Sequence, residues 1–337
     1  MMKRIIVTRF SAMGDVAMLA SVLKEFQLQH NDTEIIIVSR PAFKAFFNDI
    51  PRLIFHEIFP DGLHKGFFGL VKLFNELSSY KATYLADLHN NLRSTVLRVL
   101  FSFGAIKTAH LNKGRSEKKA LIQHKLHRQL QLTTERYADV FRKLGFSFDL
   151  THQLRKENRQ IPTEFQHLFA LPNKKIGIAP FAQHPYKVWS LQKMEEVISY
   201  LSTNGYNVFI FGGGAVEKEK AETWAKEFAN VHSTINRLNI QKELDIIANL
   251  DLMISMDSSG MHMASLVGTR CLSVWGATHP FAGFLGYGQS YEDCIQVAHP
   301  NRPSSIYGNK PCNCDGVEAI DMVSPEQVIN QIKKICE

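Results

Sequence analysis

The sequence predicts an α/β chain made of two doubly wound parallel-sheet domains. Three observations lead there. Short β-branched runs alternate with helical stretches along most of the chain. Those runs are apolar throughout rather than alternately apolar and polar, as strands covered by helices on both faces must be. The alternation breaks off between Lys113 and Arg159 and then restarts, which divides the chain, and 337 residues suffice for two such domains.

In order, "RIIVTRF", "EIIIVSR", "LIFHEIF", "ATYLADL" and "AIKTAHL" read as strands of the first half. Helices are expected between them, among them "GFFGLVKLFNELSSY" and "NNLRSTVLRVLFSFG". The stretch from Lys113 to Arg159 is charged and mostly helical. "RKENRQIPTEF" and then "LPNKK" read as a polar linker. Strands resume at "KIGIAPF", "YNVFIFGGG", "DLMISMD" and "TRCLSVWG", with helices such as "LQKMEEVISYL" and "EKEKAETWAKEFA" between. The expected domains are therefore residues 1–170 and 171–323, with a closing helix over 324–337.

Composition narrows the function classes. Hydrophobic residues make up 45% and charged residues 21%, the balance of a soluble globular protein. No apolar run approaches the roughly 18 residues of a membrane span. Arg9 and Asp15 interrupt the first apolar stretch, which argues against a signal peptide. The five cysteines are too few and too scattered for a disulfide framework, so a cytoplasmic location is expected. The net charge of +7 suits an anionic partner, a nucleotide, a phosphorylated glycan, an acidic membrane face or nucleic acid, and does not choose among them. No recognition module for nucleic acid is present.

Ligands of doubly wound sheets meet the carboxyl ends of the strands. Asp15 lies just beyond the first strand, where it fits two roles, a catalytic carboxylate or the N-cap of a helix starting at Val16. "FGGG" (211–214) ends another strand and opens a helix, a place where backbone N–H groups approach an anion, or a plain tight turn. Its glycine spacing is not that of a dinucleotide fingerprint. Glu217 or Glu219, just beyond, suits ribose hydroxyls or a solvated helix face. "SMDSSGMHMAS" places Asp257, Ser258, Ser259 and Gly260 at a helix N-terminus with His262 one turn in. Lys187, in "PFAQHPYKVWS", can reach a phosphate as a point charge, while Trp189 is expected to pack. "PCNCDG" has no second Cys-x-Cys partner, so no metal is expected, since zinc needs about four ligands.

Together these segments resemble glycosyltransferase family 9, the lipopolysaccharide heptosyltransferases. "RFSAMGDVAMLASVL", "ADLHNNLRS", "APFAQHPYKVWS", "FGGGAVEKE", "SMDSSGMHMASLVGT" and "VWGATHPFAGFLGYG" occur in that family's order across most of the chain. The resemblance implies a GT-B fold, two Rossmann-like domains facing across a cleft. It also implies an inverting, metal-independent transferase with no cofactor and a nucleotide-sugar co-substrate, typically ADP-heptose. By the same resemblance Asp15 matches the catalytic base, Lys187 the lysine at the donor diphosphate, and Asp257 and His262 the donor-side pair. Glu217 lies near the ribose-binding glutamate. Two departures stand out: Ser259 precedes Gly260 where the family often has glycine, and Ala182 and Gln183 replace two threonines before the lysine. Ser259 and Gly260 remain donor-binding candidates.

For the acceptor, an anionic glycolipid at the inner-membrane face, the basic residues Arg93, Arg98, Lys107, Lys113, Arg115, Lys118 and Lys119 of the first domain are the candidates. A solvated helix face accounts equally well for any one of them. A sugar-nucleotide epimerase and a noncatalytic nucleotide- or glycolipid-binding protein are the alternative functions.

Overall fold

The computed structural model describes residues 3–104 and 106–336. The chain forms two compact units. The first comprises Met1–Lys113 with Thr133–Thr151, and the second Gly114–Leu132 with His152–Glu337.

The first unit contains β1 (Lys3–Thr8), α1 (Met13–Gln29), β2 (Thr33–Ser39), β3 (Leu53–Glu57), α2 (Gly66–Ser78), β4 (Tyr84–Asp87), α3 (Leu92–Ser102) and β5 (Lys107–His110). All five strands are parallel, in the order β3-β2-β1-β4-β5. The register sets Thr8 level with Val38 and Asp87, so the loops after β1, β2 and β4 emerge along one edge. Ile6, Ile36, Val38 and Leu85 of the sheet are sealed by Leu70, Leu73 and Leu77 of α2 and by Leu97 and Phe101 of α3. The apolar spacing of α2, three or four residues apart, is what turns one stripe of that helix to the sheet.

After α4 (Arg115–Ile122) the chain forms α5 (Thr133–Leu144), which belongs to the first unit and buries Tyr137, Val140, Phe141 and Leu144. α4 itself packs with the second unit: Leu121 and Leu130 share a cluster with Ala282 and Ile306. The sequence reading draws the boundary at residue 170, whereas the second unit takes the chain from His152 onward. The reason is pairing along the polar run. Glu157 N–H donates to Val267 O at 3.1 Å, Lys156 Nζ donates to Leu250 O at 2.8 Å, and Arg159 pairs with Asp245 at 3.0 Å.

The second unit continues through α6 (Gln166–Phe169), β6 (Lys175–Ala179), α7 (Leu191–Thr203), β7 (Asn207–Ile210), α8 (Ala215–Glu227), β8 (Val231–Ser233) and α9 (Ile240–Ala248). It ends with β9 (Leu252–Met256), α10 (Ser259–Leu266), β10 (Cys271–Val274), β11 (Cys294–Ile295) and α11 (Pro325–Cys336). Its six parallel strands run β11-β10-β9-β6-β7-β8, so both sheets share one winding pattern. In each, the first strand lies between the second and the fourth, and the helices leave in opposite directions there. α11 closes this unit by placing Val328 and Ile332 in the core with Met194, Val197 and Trp224. Ser324 and Gln327 exchange hydrogen bonds at its start, a reciprocal cap. Among the described residues no helix is long and apolar enough to cross a membrane.

One half-buried acid in this unit makes stability depend on pH. Burial pushes the carboxyl of Glu243, on the first turn of α9, up to about 7 from an ordinary 4.5. Between those values the folded chain holds a proton that the unfolded chain has released. This contribution is therefore fully present below about pH 4.5 and is lost as pH rises to about 7. Glu243→Gln stays neutral throughout, so the variant should gain urea stability relative to the parent as pH rises across that window. Parallel pH dependences of parent and variant in urea titrations would show that Glu243 titrates as in the unfolded chain.

Candidate active site

Two constellations stand at the carboxyl edges of the two sheets, one in each unit, each where the winding changes direction. In the first unit, β1 ends at Thr8 and α1 begins at Met13. The N-cap is Ala12, with no side-chain cap, and Asp15 is the third helical residue. The reading of Asp15 as the cap of a helix starting at Val16 is therefore corrected. The helix starts three residues earlier, and the carboxylate points elsewhere. It forms an ion pair with Arg9 Nη2 and accepts a hydrogen bond from the Tyr137 hydroxyl at 3.3 Å.

Both partners are held in place. The Arg9 side chain is 9% exposed, and its Nη1 donates to Leu88 O at 2.8 Å. Burial lowers the Arg9 pKa, but Tyr137 and Asp15 outweigh it, and the net direction is upward, which keeps the guanidinium charged. Burial drives the Tyr137 hydroxyl far above its ordinary value, so it remains a donor. Asp15 keeps more than a quarter of its side chain exposed, which leaves an approach for a second molecule. His89 stands nearby, accepting from Phe10 N–H through Nδ1 at 3.1 Å. Burial first, then Arg9 and Lys113, lower its pKa to about 3, so it is neutral at physiological pH. This site unites a fixed cation, a partly open carboxylate and a neutral imidazole.

Asp87, at the end of β4, builds the neighbouring turn. Its Oδ1 accepts from Thr8 Oγ1 at 3.2 Å and from the backbone N–H groups of His89 and Asn90 at 3.1 and 2.8 Å. Asn91 and Ser94 then cap α3 reciprocally, which closes that helix start to an anion.

In the second unit, Lys187 follows β6 and Asp257 follows β9, and these two strands are neighbours. Lys187 Nζ lies 2.8 Å from Asp257 Oδ2, with Asp257 only 2% exposed. The lysine stem is fixed by the backbone of Gly308, where a Cβ would come within 2.5 Å of Lys187 Cγ. Gly260 brings α10 close to the sheet, since a Cβ there would come within 2.5 Å of Ala179 Cβ. The Ser258 N-cap offers no side-chain bond, and Ser258 and Ser259 are partly exposed at a helix start that favours negative charge. His262 is buried on α10. Trp189 is fully buried and donates through Nε1 to Val323 O at 3.1 Å, so it packs as expected.

Glu217 is on the first turn of α8, and its Oε2 accepts from Gly213 N–H at 2.7 Å. The glycine turn thus already spends one N–H on a carboxylate, which suits it to hydroxyl recognition by Glu217 more than to phosphate. The thiols of Cys312 and Cys314 are 4.0 Å apart and buried. Among the described residues no group of three or more His, Cys, Asp or Glu side chains is arranged to hold a metal ion.

The basic acceptor candidates separate. Arg93 is in the first unit, 3.8 Å from Asp61, and Arg98 lies 3.5 Å from buried Asp87. Arg115 and Lys119 are exposed on α4, hence in the second unit, while Lys118 is buried with its Nζ 4.0 Å from the Phe284 ring centre. Lys118 thus departs from the solvated charge run of the sequence reading. On a helix it shares a face with Leu121, three residues on, and that face is the one packed.

Arg9, His89 and Tyr137 carry no role in the sequence reading. Arg9 and His89 carry a usable signal, since Arg9 directly follows β1 and His89 comes two residues after β4, both on the ligand-bearing edge. Tyr137 has none, because it reaches Asp15 from 122 residues away.

Comparison with known proteins agrees with this architecture. Residues 70–307 match the family model for glycosyltransferase family 9 (heptosyltransferase). The lipopolysaccharide core heptosyltransferase OpsX of Haemophilus influenzae is 21% identical over 99% of this chain and 97% of its own. A glycosyltransferase family 9 structure from Veillonella parvula superposes with a TM-score of 0.72 at 18% identity, covering 99% of this chain and 97% of that one. E. coli heptosyltransferase WaaC, solved with ADP, gives 0.70 at 17% identity, covering 98% and 99%.

Proposed function

The chain belongs to glycosyltransferase family 9, the heptosyltransferase family, and from that premise we propose that it moves a heptose from ADP-heptose to an inner-core lipopolysaccharide or lipooligosaccharide acceptor. In this reading transfer inverts the anomeric centre, needs no metal ion, and uses Asp15 as the base. The observation that carries it is the pair of constellations at equivalent edges: a partly open carboxylate in one unit, a partly exposed lysine paired with a buried carboxylate beside an uncapped helix start in the other.

The acceptor hydroxyl gives its proton to Asp15 as its oxygen bonds to the anomeric carbon. The bond from that carbon to the diphosphate oxygen breaks, and its electron pair leaves with ADP. Negative charge grows on the departing diphosphate, where Lys187 and the first N–H groups of α10 neutralise it. Arg9 and Tyr137 hold the Asp15 carboxylate in one orientation, which raises the fraction of encounters with correct geometry. Glu217, with one oxygen fixed by Gly213, offers the other to the ribose hydroxyls. His262 and Asp257 position the lysine side of the donor.

A panel of ADP-, UDP- and GDP-activated sugars tests this. ADP-heptose should bind tightest by calorimetric titration, and turnover should require the acceptor and survive a chelator. Cells lacking the protein should carry a core oligosaccharide lighter by a heptose. Conversion of a UDP-sugar without acceptor would establish the epimerase reading instead, and tight binding with no turnover on any acceptor would establish the noncatalytic one.

A further inference from the structure

The first unit carries an apolar prominence that nothing in the transfer reaction uses. Phe67 and Phe68, at the start of α2, are 62% and 87% exposed, and Leu92, at the start of α3, is 82% exposed. Phe59 and Leu63, in the loop before α2, are exposed as well. These segments are tied together: Asp61 in that loop lies 3.1 Å from Arg40 and 3.8 Å from Arg93, so the ends of β2 and α3 flank it. The loop is also braced from within. His64 is buried, accepts Phe59 N–H through Nδ1 at 3.0 Å, and meets Glu76 at 3.2 Å through Nε2. A Cβ on Gly69 would come within 2.4 Å of the His64 backbone, so helix and loop are in close contact. The phenylalanines are therefore held outward by built structure.

Charge surrounds them. Lys65 and Lys72 are exposed, one just before α2 and one a turn beyond Phe68 on the same face, and Arg40 and Arg93 stand beside Asp61 of the loop. Outward aromatic side chains within a basic rim match an anionic bilayer surface: rings enter the headgroup boundary and cations meet lipid phosphates. We propose that this prominence docks the protein on an anionic lipid bilayer. It lies on the carboxyl edge of the sheet, the edge that also bears Asp15, so a glycolipid rooted in that bilayer presents its sugars to the same side of the unit. Docking is separate from transfer and needs no nucleotide sugar.

Cosedimentation with vesicles of phosphatidylcholine alone, or mixed with phosphatidylglycerol, tests it. The full chain should bind the mixed vesicles, and added salt should weaken binding. Phe67→Ser with Phe68→Ser, and separately Lys65→Glu with Lys72→Glu, should each lower partitioning about tenfold or more. Their thermal unfolding and nucleotide-sugar binding should match the parent, which separates failure of docking from failure of the transfer reading. Absence of vesicle binding by the parent, or equal binding by both variants, overturns the proposal. So does a concentration-dependent molecular mass that the phenylalanine variant abolishes in the absence of lipid binding, which assigns the face to a second copy of the chain.

Discussion

Asp15→Asn should slow transfer by about 10²–10⁴-fold, the usual worth of a general base, while donor binding stays near normal. The side chain keeps its size and can still accept from Tyr137. It can neither take a proton effectively nor balance Arg9. The second loss is a structural cost, because Arg9 is buried and would lose its carboxylate, so some destabilisation is expected as well. Two explanations for a slower enzyme therefore need separating. Arg9→Met combined with Asp15→Asn removes the buried cation together with its partner, and should recover much of the stability. If Asp15 served only to neutralise Arg9, that double variant would recover transfer too. If Asp15 takes the proton, transfer stays low in a stable protein. Single-turnover assays paired with thermal unfolding and donor titration read all three quantities, and near-normal transfer in the folded double variant would end the catalytic assignment.

Lys187→Ala should be costly twice over. It removes the cation facing the departing diphosphate, so transfer should fall by about 10²-fold or more, in line with losing one group that stabilises developing charge. It also leaves Asp257, 2% exposed, without its ion-pair partner. Breaking a buried pair costs about 3–5 kcal/mol, and the partial exposure of Lys187 places this case near the lower end. Adding Asp257→Asn relieves the stranded charge. The double variant should regain stability without regaining donor affinity or rate. Recovery of donor use along with stability would mean that Lys187 acts only as the counter-ion of Asp257, and the diphosphate site would have to be sought elsewhere.

The parts of this site that are legible in the sequence are those set by short-range pattern. Continuous β-branched runs such as "RIIVT" and "LMISM" declare buried parallel strands, and the residues just after them must emerge at the carboxyl edge. Asp15, Lys187, Asp257 and the glycine turn could therefore be picked out without coordinates. The short strand β8 and the edge strand β11 are not legible for the same reason: three and two residues carry too little pattern to mark a strand.

Pairing was beyond the sequence. The sequence leaves Asp15 as either a catalytic carboxylate or the cap of a helix at Val16, and the helix begins at Met13 instead, because the start of a helix depends on where the preceding strand releases the chain. Its partner Tyr137 arrives from α5 only because that helix returns to the first unit after α4 has packed with the second. Lys118 reads as solvated charge beside Arg115 and Lys119, yet its neighbour Phe284 lies far along the chain. Sequence by itself determined the alternation of strands and helices, the two-sheet architecture and the edge on which chemistry is placed, since these follow from local periodicity and burial. Tertiary structure alone decided which charges are paired, buried or open, since that depends on which distant segments the winding of each sheet makes neighbours.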